Sequence, residues 1–225
     1  MKFLDYFKYF FFIALNWNVR LAWFTIRHEI TGEKKYGINT TKINNLKNLP
    51  VIGKLEHAEI YQGASYYLLE NIFNYLQGIN ANYHILDFGC GKGRVLAVAA
   101  WYGFNKITGI DFSAELCMDA IKNLIPVRHK FPETIFNVIH ANASDHPVDD
   151  DTNVFFFFNP FNETVMLAVV KNILSSLKKV PREAYVVYVN PVHKEIFMSA
   201  GFEQIHHLEK MKYIQACILM HPVEL

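Results

Sequence analysis

The segment Asp87-Phe88-Gly89-Cys90-Gly91-Lys92-Gly93 sets an acid ahead of glycines at alternate positions. Such glycines let a backbone turn sharply and approach a ligand with no Cβ in the way. A helix that follows aims its first N–H groups at the same ligand. The loop therefore suits an adenosine-type cofactor, and its spacing narrows the choice. A nicotinamide fingerprint wants G-x-G-x-x-G. Gly89 and Gly91 fit, but Arg94 stands where the third glycine belongs, and Gly93 comes one residue early. A Walker loop is excluded, because no Gly-Lys-Ser/Thr occurs here. Asp87 is placed to meet an ammonium group, directly or through water. Cys90 reads as a small residue that fits the loop rather than as a nucleophile.

Asp111, in Gly109-Ile110-Asp111-Phe112-Ser113, lies 18 residues after Gly93. A carboxylate at the tip of the neighbouring strand can accept both hydroxyls of a ribose. The plainer alternative for Asp111 is a helix cap or dipole partner.

These residues need a strand ending at Phe88 and a helix starting at Arg94. Tyr83 to Phe88 reads as that strand, and Arg94 to Tyr102 as an apolar helix stopped by Gly103. Further strands follow over 106–111, 135–140, 154–158 and 184–189. The last two are apolar throughout, as central parallel strands are. Helices over 114–124, 164–177 and 194–200 alternate with them, and 202–210 with 213–221 read as a closing hairpin. Ser65 to Leu76 carries apolar residues at helical spacing, with Ser65 as N-cap and Gly78 as the stop. The pattern predicts an α/β fold: a Rossmann-like, doubly wound, mostly parallel sheet with an antiparallel C-terminal hairpin. Residues 1–60 read as an N-terminal extension, helical over 1–30 and loop-rich over 31–60, and residues 61–225 as the Rossmann-like domain.

At 225 residues with 52% hydrophobic content, the chain can bury one sizeable core. Its net charge of +1 provides no overall basic field, which argues against nucleic acid as the partner. Cys90, Cys117 and Cys217 are far apart and odd in number, so no disulfide framework is expected, and a reducing, cytoplasmic compartment fits. Ten histidines show no ligand spacing, and no metal is expected. The apolar run Phe10 to Leu15 is interrupted by Asn16, Asn18 and Arg20, well short of the roughly 20 residues a spanning helix needs. No small-residue cleavage site follows it. Residues 1–30 read as a helix packed on the domain or dimerising with a second subunit. The alternative is a peripheral membrane contact, with aromatics in lipid and Lys8, Arg20 and Arg27 at the headgroups.

The span from His84 to Ser113 resembles motif I and the acidic second motif of class I S-adenosylmethionine-dependent methyltransferases. The likeness extends over most of the domain. It implies S-adenosyl-L-methionine as cofactor and a protein or small molecule as methyl acceptor. By this resemblance Asp87, Gly89, Cys90, Gly91, Gly93, Asp111 and Phe112 bind the cofactor, and Asn142 with Ala143 lies near its adenine, Asp145 being an alternative contact. Asn159-Pro160-Phe161 is similar to the Asn-Pro-Pro-Tyr/Phe motif of amino-group methyltransferases, with one proline missing. The likeness gives these three the catalytic position: Asn159 and the Pro160 carbonyl accept hydrogen bonds from a substrate nitrogen, and Phe161 walls the target. The plainer alternative is that Asn159-Pro160 stops a buried strand. Upstream, Tyr61-Gln62-Gly63-Ala64-Ser65-Tyr66 matches a segment that folds over the cofactor, with Tyr61 and Ser65 as the matching positions. Together with Tyr188-Val189-Asn190-Pro191, the set resembles small protein-lysine methyltransferases of the mitochondrial ATP-synthase-subunit and nucleosomal types. The expected reaction is methylation of an amino group, foremost a protein lysine. The alternatives are a nucleic-acid adenine, a small molecule in an enclosed pocket, and a non-catalytic cofactor-binding or membrane-associated scaffold.

Overall fold

The computed structural model describes residues 2–41, 63–79, 84–158 and 161–223. Seven strands form one sheet: β1 (His84–Phe88), β2 (Lys106–Asp111), β3 (Ile135–His140), β4 (Val154–Phe158), β5 (Ala184–Val189), β6 (Glu203–Lys210) and β7 (Ile214–His221). Their order is β3-β2-β1-β4-β5-β7-β6. The first five run parallel, and β7 lies antiparallel between β5 and β6. This is the expected Rossmann-like sheet with its antiparallel hairpin. The order reverses at β1, which pairs with β2 on one side and β4 on the other, and that crevice is where such sheets take ligands.

Both faces of the sheet are covered, which is why β4 and β5 carry no charged residue at any position. On one face Ile85, Ile107, Phe156 and Val187 pack on helices α3 (Tyr66–Ile79), α4 (Arg94–Trp101) and α5 (Ala114–Lys130). On the other, Leu86, Phe155, Phe157 and Tyr188 pack on α6 (Glu163–Lys179) and α7 (Lys194–Ser199). Neighbours in the sequence thus serve opposite cores, as the two-residue period of a strand requires.

Helices α1 (Lys2–Asn16) and α2 (Val19–Tyr36) form an antiparallel pair about Tyr9, Ile13, Leu21, Ala22 and Ile26. The side chain of Asn18 caps α2, accepting from the Leu21 N–H at 2.8 Å. The helical reading of residues 1–30 resolves into these two helices, but α2 runs six residues into the stretch expected to be loop. Gly32, read as punctuation, sits within it: a Cβ there would stand 2.3 Å from the Tyr66 ring. Glycine here permits contact between α2 and α3 and does not break a helix. The stop comes at Gly37, in the left-handed conformation, whose N–H reaches the Glu33 carbonyl at 3.0 Å.

Two other ends differ from expectation. Helix α3 passes through Gly78 to Ile79. Helix α5 passes through Pro126 to Lys130 instead of ending at Leu124. Leu124 and Val127 are both buried against the sheet, and their burial carries the helix past a residue that cannot donate a backbone hydrogen bond. The remaining boundaries agree to within two residues. The expected loop beyond Thr41, with Tyr61, Tyr83, Asn159 and Pro160, lies outside the described residues.

Candidate functional site

At the carboxyl end of β1 the chain turns through Gly89, Gly91 and Gly93, which have φ of 83°, 51° and 77°. All three are left-handed, a conformation costly for any residue with a Cβ. At Gly93 a second constraint applies, since a Cβ would lie 3.1 Å from that of Ala120 on α5. The loop is pinned to β2 by the Gly89 and Cys90 N–H groups, which donate to the Ile110 carbonyl at 2.8 and 2.9 Å. Cys90 tucks against Gly109, where a Cβ would come within 2.6 Å of it. Burial pushes the Cys90 thiol well above its usual range, so it is a packing residue.

Asp111, at the tip of β2, faces this loop. Its Oδ2 accepts from the Gly91 N–H at 2.9 Å and its Oδ1 from the Ser113 N–H at 2.9 Å. The carboxylate therefore orders the loop and the start of α5 together. Burial raises its pKa, and the two backbone donors partly offset that rise. Phe112, beside it, is exposed.

Asp87 is different. It is 2% exposed, and its Oδ2 has no hydrogen-bond partner among the described residues. Burial, then repulsion from Asp111, holds its pKa well above the usual carboxylate range. A buried carboxylate oxygen without a donor is costly, by about 1–3 kcal/mol. At a strand tip beside a glycine turn, a ligand cation would relieve such a cost. S-adenosylmethionine fits this donor set: an ammonium for Asp87, ribose hydroxyls for Asp111, and close backbone approach at the glycines.

Other predicted residues lie around the same edge of the sheet. Asn142 and Ala143 follow the tip of β3. The Asn142 side chain is exposed, with its Oδ1 accepting from the Ser144 N–H at 3.3 Å and its Nδ2 donating to Asp145 at 3.2 Å. Phe161 follows β4 and is half-buried against the α6 and α7 core. Strand β4 ends at Phe158, beside the strand that ends at Phe88. Ser65 is half-buried at the start of α3.

One cluster went unread in the sequence. Arg94, the first residue of α4, is buried, and its two terminal nitrogens donate to Glu29 of α2 at 2.8 and 2.7 Å. The same guanidinium donates to Thr40 at 2.8 Å and to the Ala64 carbonyl at 2.9 Å, and lies 4.2 Å from the Tyr66 ring centre. Gly63 passes so close that a Cβ would meet the guanidinium at 2.7 Å. Nearby, Glu33 accepts from Tyr6 at 2.5 Å and from the Thr40 and Thr41 N–H groups at 2.7 Å. Burial pushes the Glu33 carboxyl up, but those donors outweigh it and hold the pKa below the ordinary value. The N-terminal helices are thus tied into the turn that follows Gly93. A signal did exist: a cation at a helix N-terminus opposes the macrodipole and needs an anion.

A second charged group gathers at the opposite, amino end of the sheet. His84 is within 3.0 Å of both Asp151 and Thr152, and Lys106 meets Asp149 and Asp151 at 3.2 and 3.0 Å. His84, Asp149 and Asp151 stand close enough to hold a cation, and the Lys106 ammonium supplies one.

Residues 85–180 match the family model described as a methyltransferase domain. The matched stretch is under half of the chain and runs from β1 to the end of α6, taking in the glycine loop, Asp111 and the tip of β4. A comparison with curated proteins gives no sequence match. Among solved structures the chain is similar to yhhF of Escherichia coli, described as a methyltransferase, with TM-score 0.57 and 17% identity over 77% of this chain and 98% of that one. It is also similar to the N-methyltransferase NodS of Bradyrhizobium japonicum, with TM-score 0.54 and 10% identity over 69% and 95% of the two chains. A third is the magnesium protoporphyrin IX methyltransferase ChlM of Synechocystis, with TM-score 0.51 and 14% identity over 68% and 77%. These likenesses show the shared fold. The matched stretch is that of a methyltransferase domain.

Proposed function

We propose that this S-adenosylmethionine-dependent methyltransferase transfers its methyl group to an amino group, that of a protein lysine. The observation carrying the amine is Asn159-Pro160-Phe161, which directly follows the strand paired with β1. It resembles a motif that accepts hydrogen bonds from a substrate nitrogen. The lysine rests on the added likeness of the segments around Tyr61 and Tyr188.

When bound, the cofactor supplies a sulfonium methyl group that an amine lone pair can take in an in-line displacement. The chain's residues bind, align and exclude water. Asp87 pairs with the cofactor ammonium, and Asp111 accepts from the ribose. Tyr61, Ser65, Gly89, Cys90, Gly91, Gly93, Phe112, Asn142 and Ala143 complete the cofactor's surroundings. Asn159 and the Pro160 carbonyl accept from the acceptor nitrogen and so turn its lone pair toward the methyl carbon. A lysine must arrive neutral, and an apolar lining lowers an amine's pKa without a dedicated base. Phe161 supplies one wall. Tyr188 is buried in the core that Phe161 packs against, its hydroxyl held by the His193 N–H at 3.3 Å.

The test begins with calorimetry against S-adenosylmethionine, S-adenosylhomocysteine and NAD. The first two should bind and NAD should not. Radiolabelled methyl transfer to extract protein should then yield methyl-lysine on hydrolysis. Label confined to nucleic acid or small molecules would overturn the lysine reading. Asn159→Ala should keep cofactor binding and lower turnover by about a hundredfold; equal loss of both would make Asn159 structural.

A further inference from the structure

The α1–α2 hairpin turns an apolar surface outward. On α1 the stripe is Leu4, Phe7, Phe11 and Leu15, at helical spacing on one face, with Leu15 82% exposed. On α2 it is Val19 and Trp23, the latter 65% exposed. The two stripes form one surface. Phe7 contacts Phe11, Phe11 contacts Phe10, and Phe10 contacts Trp23, at ring-centre distances of 4.7, 5.4 and 5.3 Å. Trp17, also exposed, closes the tip between the helices. These side chains are not needed for the hairpin's own core, which Tyr9, Ile13, Leu21, Ala22 and Ile26 already fill.

The charges on this surface are of one sign. Lys8 sits among Leu4, Phe11 and Leu15 at helical spacings of three, four and seven, and Arg20 and Arg27 flank Trp23 in the same way. All three are exposed. Asp5 is the lone acid in residues 2–28, and Glu29 is committed to Arg94.

We infer that this face docks on an anionic bilayer surface. Aromatic rings interleaved with basic side chains suit the headgroup boundary: the rings enter the acyl edge, and the cations stay with lipid phosphates and carboxylates. The charge pattern also tells against a second copy of the chain. A two-fold interface sets a patch against itself, so the basic side chains Lys8, Arg20 and Arg27 of one copy would face a patch carrying the same three cations, with one acid on each copy to offset them. Neither helix is long and apolar enough to cross a membrane, so the contact lies along the surface. The hairpin core also packs on Met211 and Ile214, at the turn between β6 and β7. That turn adjoins the carboxyl end of β5, where the Asn190 N–H donates to the Gln215 carbonyl at 2.9 Å. Docking therefore brings the carboxyl edge of the sheet close to the lipid plane.

The inference does not depend on the methyl acceptor, and its test reads binding alone. The full chain is sedimented with vesicles of phosphatidylcholine and of phosphatidylcholine mixed with phosphatidylserine. Binding should require phosphatidylserine and weaken with salt. Arg20→Glu with Arg27→Glu should reduce it about tenfold or more. Phe7→Ser with Trp23→Ser should abolish it while leaving the thermal transition and cofactor binding in place, since both side chains face solvent. Tryptophan emission should shift to shorter wavelength on the mixed vesicles, less so in the Trp23→Ser variant. Equal binding by the wild type and both variants, or no binding to either vesicle, would overturn the proposal. So would a concentration-dependent dimer, seen by sedimentation velocity, that the Phe7 and Trp23 changes dissolve.

Discussion

The two ends of β1 carry titratable side chains three residues apart, and the protein treats them in opposite ways. At the amino end His84 is surrounded by Thr108, Asp151, Thr152 and, through the acids, Lys106, so that every partner is at hand. Asp149 and Asp151 there are exposed and shared with the Lys106 ammonium. At the carboxyl end Asp87 is buried with one oxygen unpaired, although a buried ion pair, Arg94 with Glu29, lies just past the same loop. Charge density alone does not distinguish the two ends. What separates them is whether the protein's own groups satisfy the charge: among the described residues, those at the amino end do, and at the carboxyl end the Asp87 Oδ2 is left without a donor.

Breaking the ion pair should have the largest effect. Glu29→Ala leaves a buried guanidinium short of its carboxylate and should cost about 3–5 kcal/mol of unfolding free energy. Chemical denaturation checks this, and a loss below about 1 kcal/mol would place the pair among the weak surface bridges. Next comes Asp87→Asn, which should lower cofactor affinity about a hundredfold, the scale of a lost charge-assisted contact. The same change should stabilise the ligand-free protein, because it removes an unpaired buried charge. The pH dependence has a matching sign. The folded pKa of Asp87 is raised, so its charge is carried at a cost above that pKa, and cofactor affinity should fall as pH drops through it. Calorimetry across pH should show this fall in the wild type and not in Asp87→Asn.

Asp111→Ala should weaken cofactor binding by about ten- to a hundredfold, through the ribose and through the freed Gly91 and Ser113 N–H groups. An unchanged dissociation constant would make Asp111 a helix-start residue only. The amino end should respond least. Asp151→Asn should cost under about 1 kcal/mol, since that side chain is 62% exposed. Burial lowers the His84 pKa, against the raising pull of Asp151. Its contribution to stability is therefore complete above the unfolded-state value and is lost as pH falls toward the folded one. His84→Gln should flatten that part of the stability profile.

Much of the fold was legible because parallel strands buried on both faces announce themselves. Phe155 to Phe158 and Ala184 to Val189 have no polar interruption, and the glycine loop marks where the first strand must stop. Gly32 and Pro126 misled because local preference gave way to packing: Tyr66 seats against the one, and Leu124 and Val127 bury on either side of the other, whereas the helix runs only one residue past Gly78. Within the site, Asp87 and Asp111 could be found because Asp111 ends one strand and Asp87 stands one residue before the end of another. Glu29 could not be paired with Arg94, since the contact spans 65 residues and no local spacing encodes it. Only the misfit of a cation at a helix N-terminus hinted that an acid was needed.

That same contact sets an order of events during synthesis. Glu29 leaves the ribosome 65 residues ahead of Arg94, an interval of about 3–13 s at ordinary elongation rates. Throughout it the carboxylate lacks its cation, and the outward rings of the first helix have no folded body beside them. The nascent chain thus displays its most adhesive surface before it owns a place to anchor it. That surface is therefore open to any lipid or chaperone present before the glycine loop has been translated.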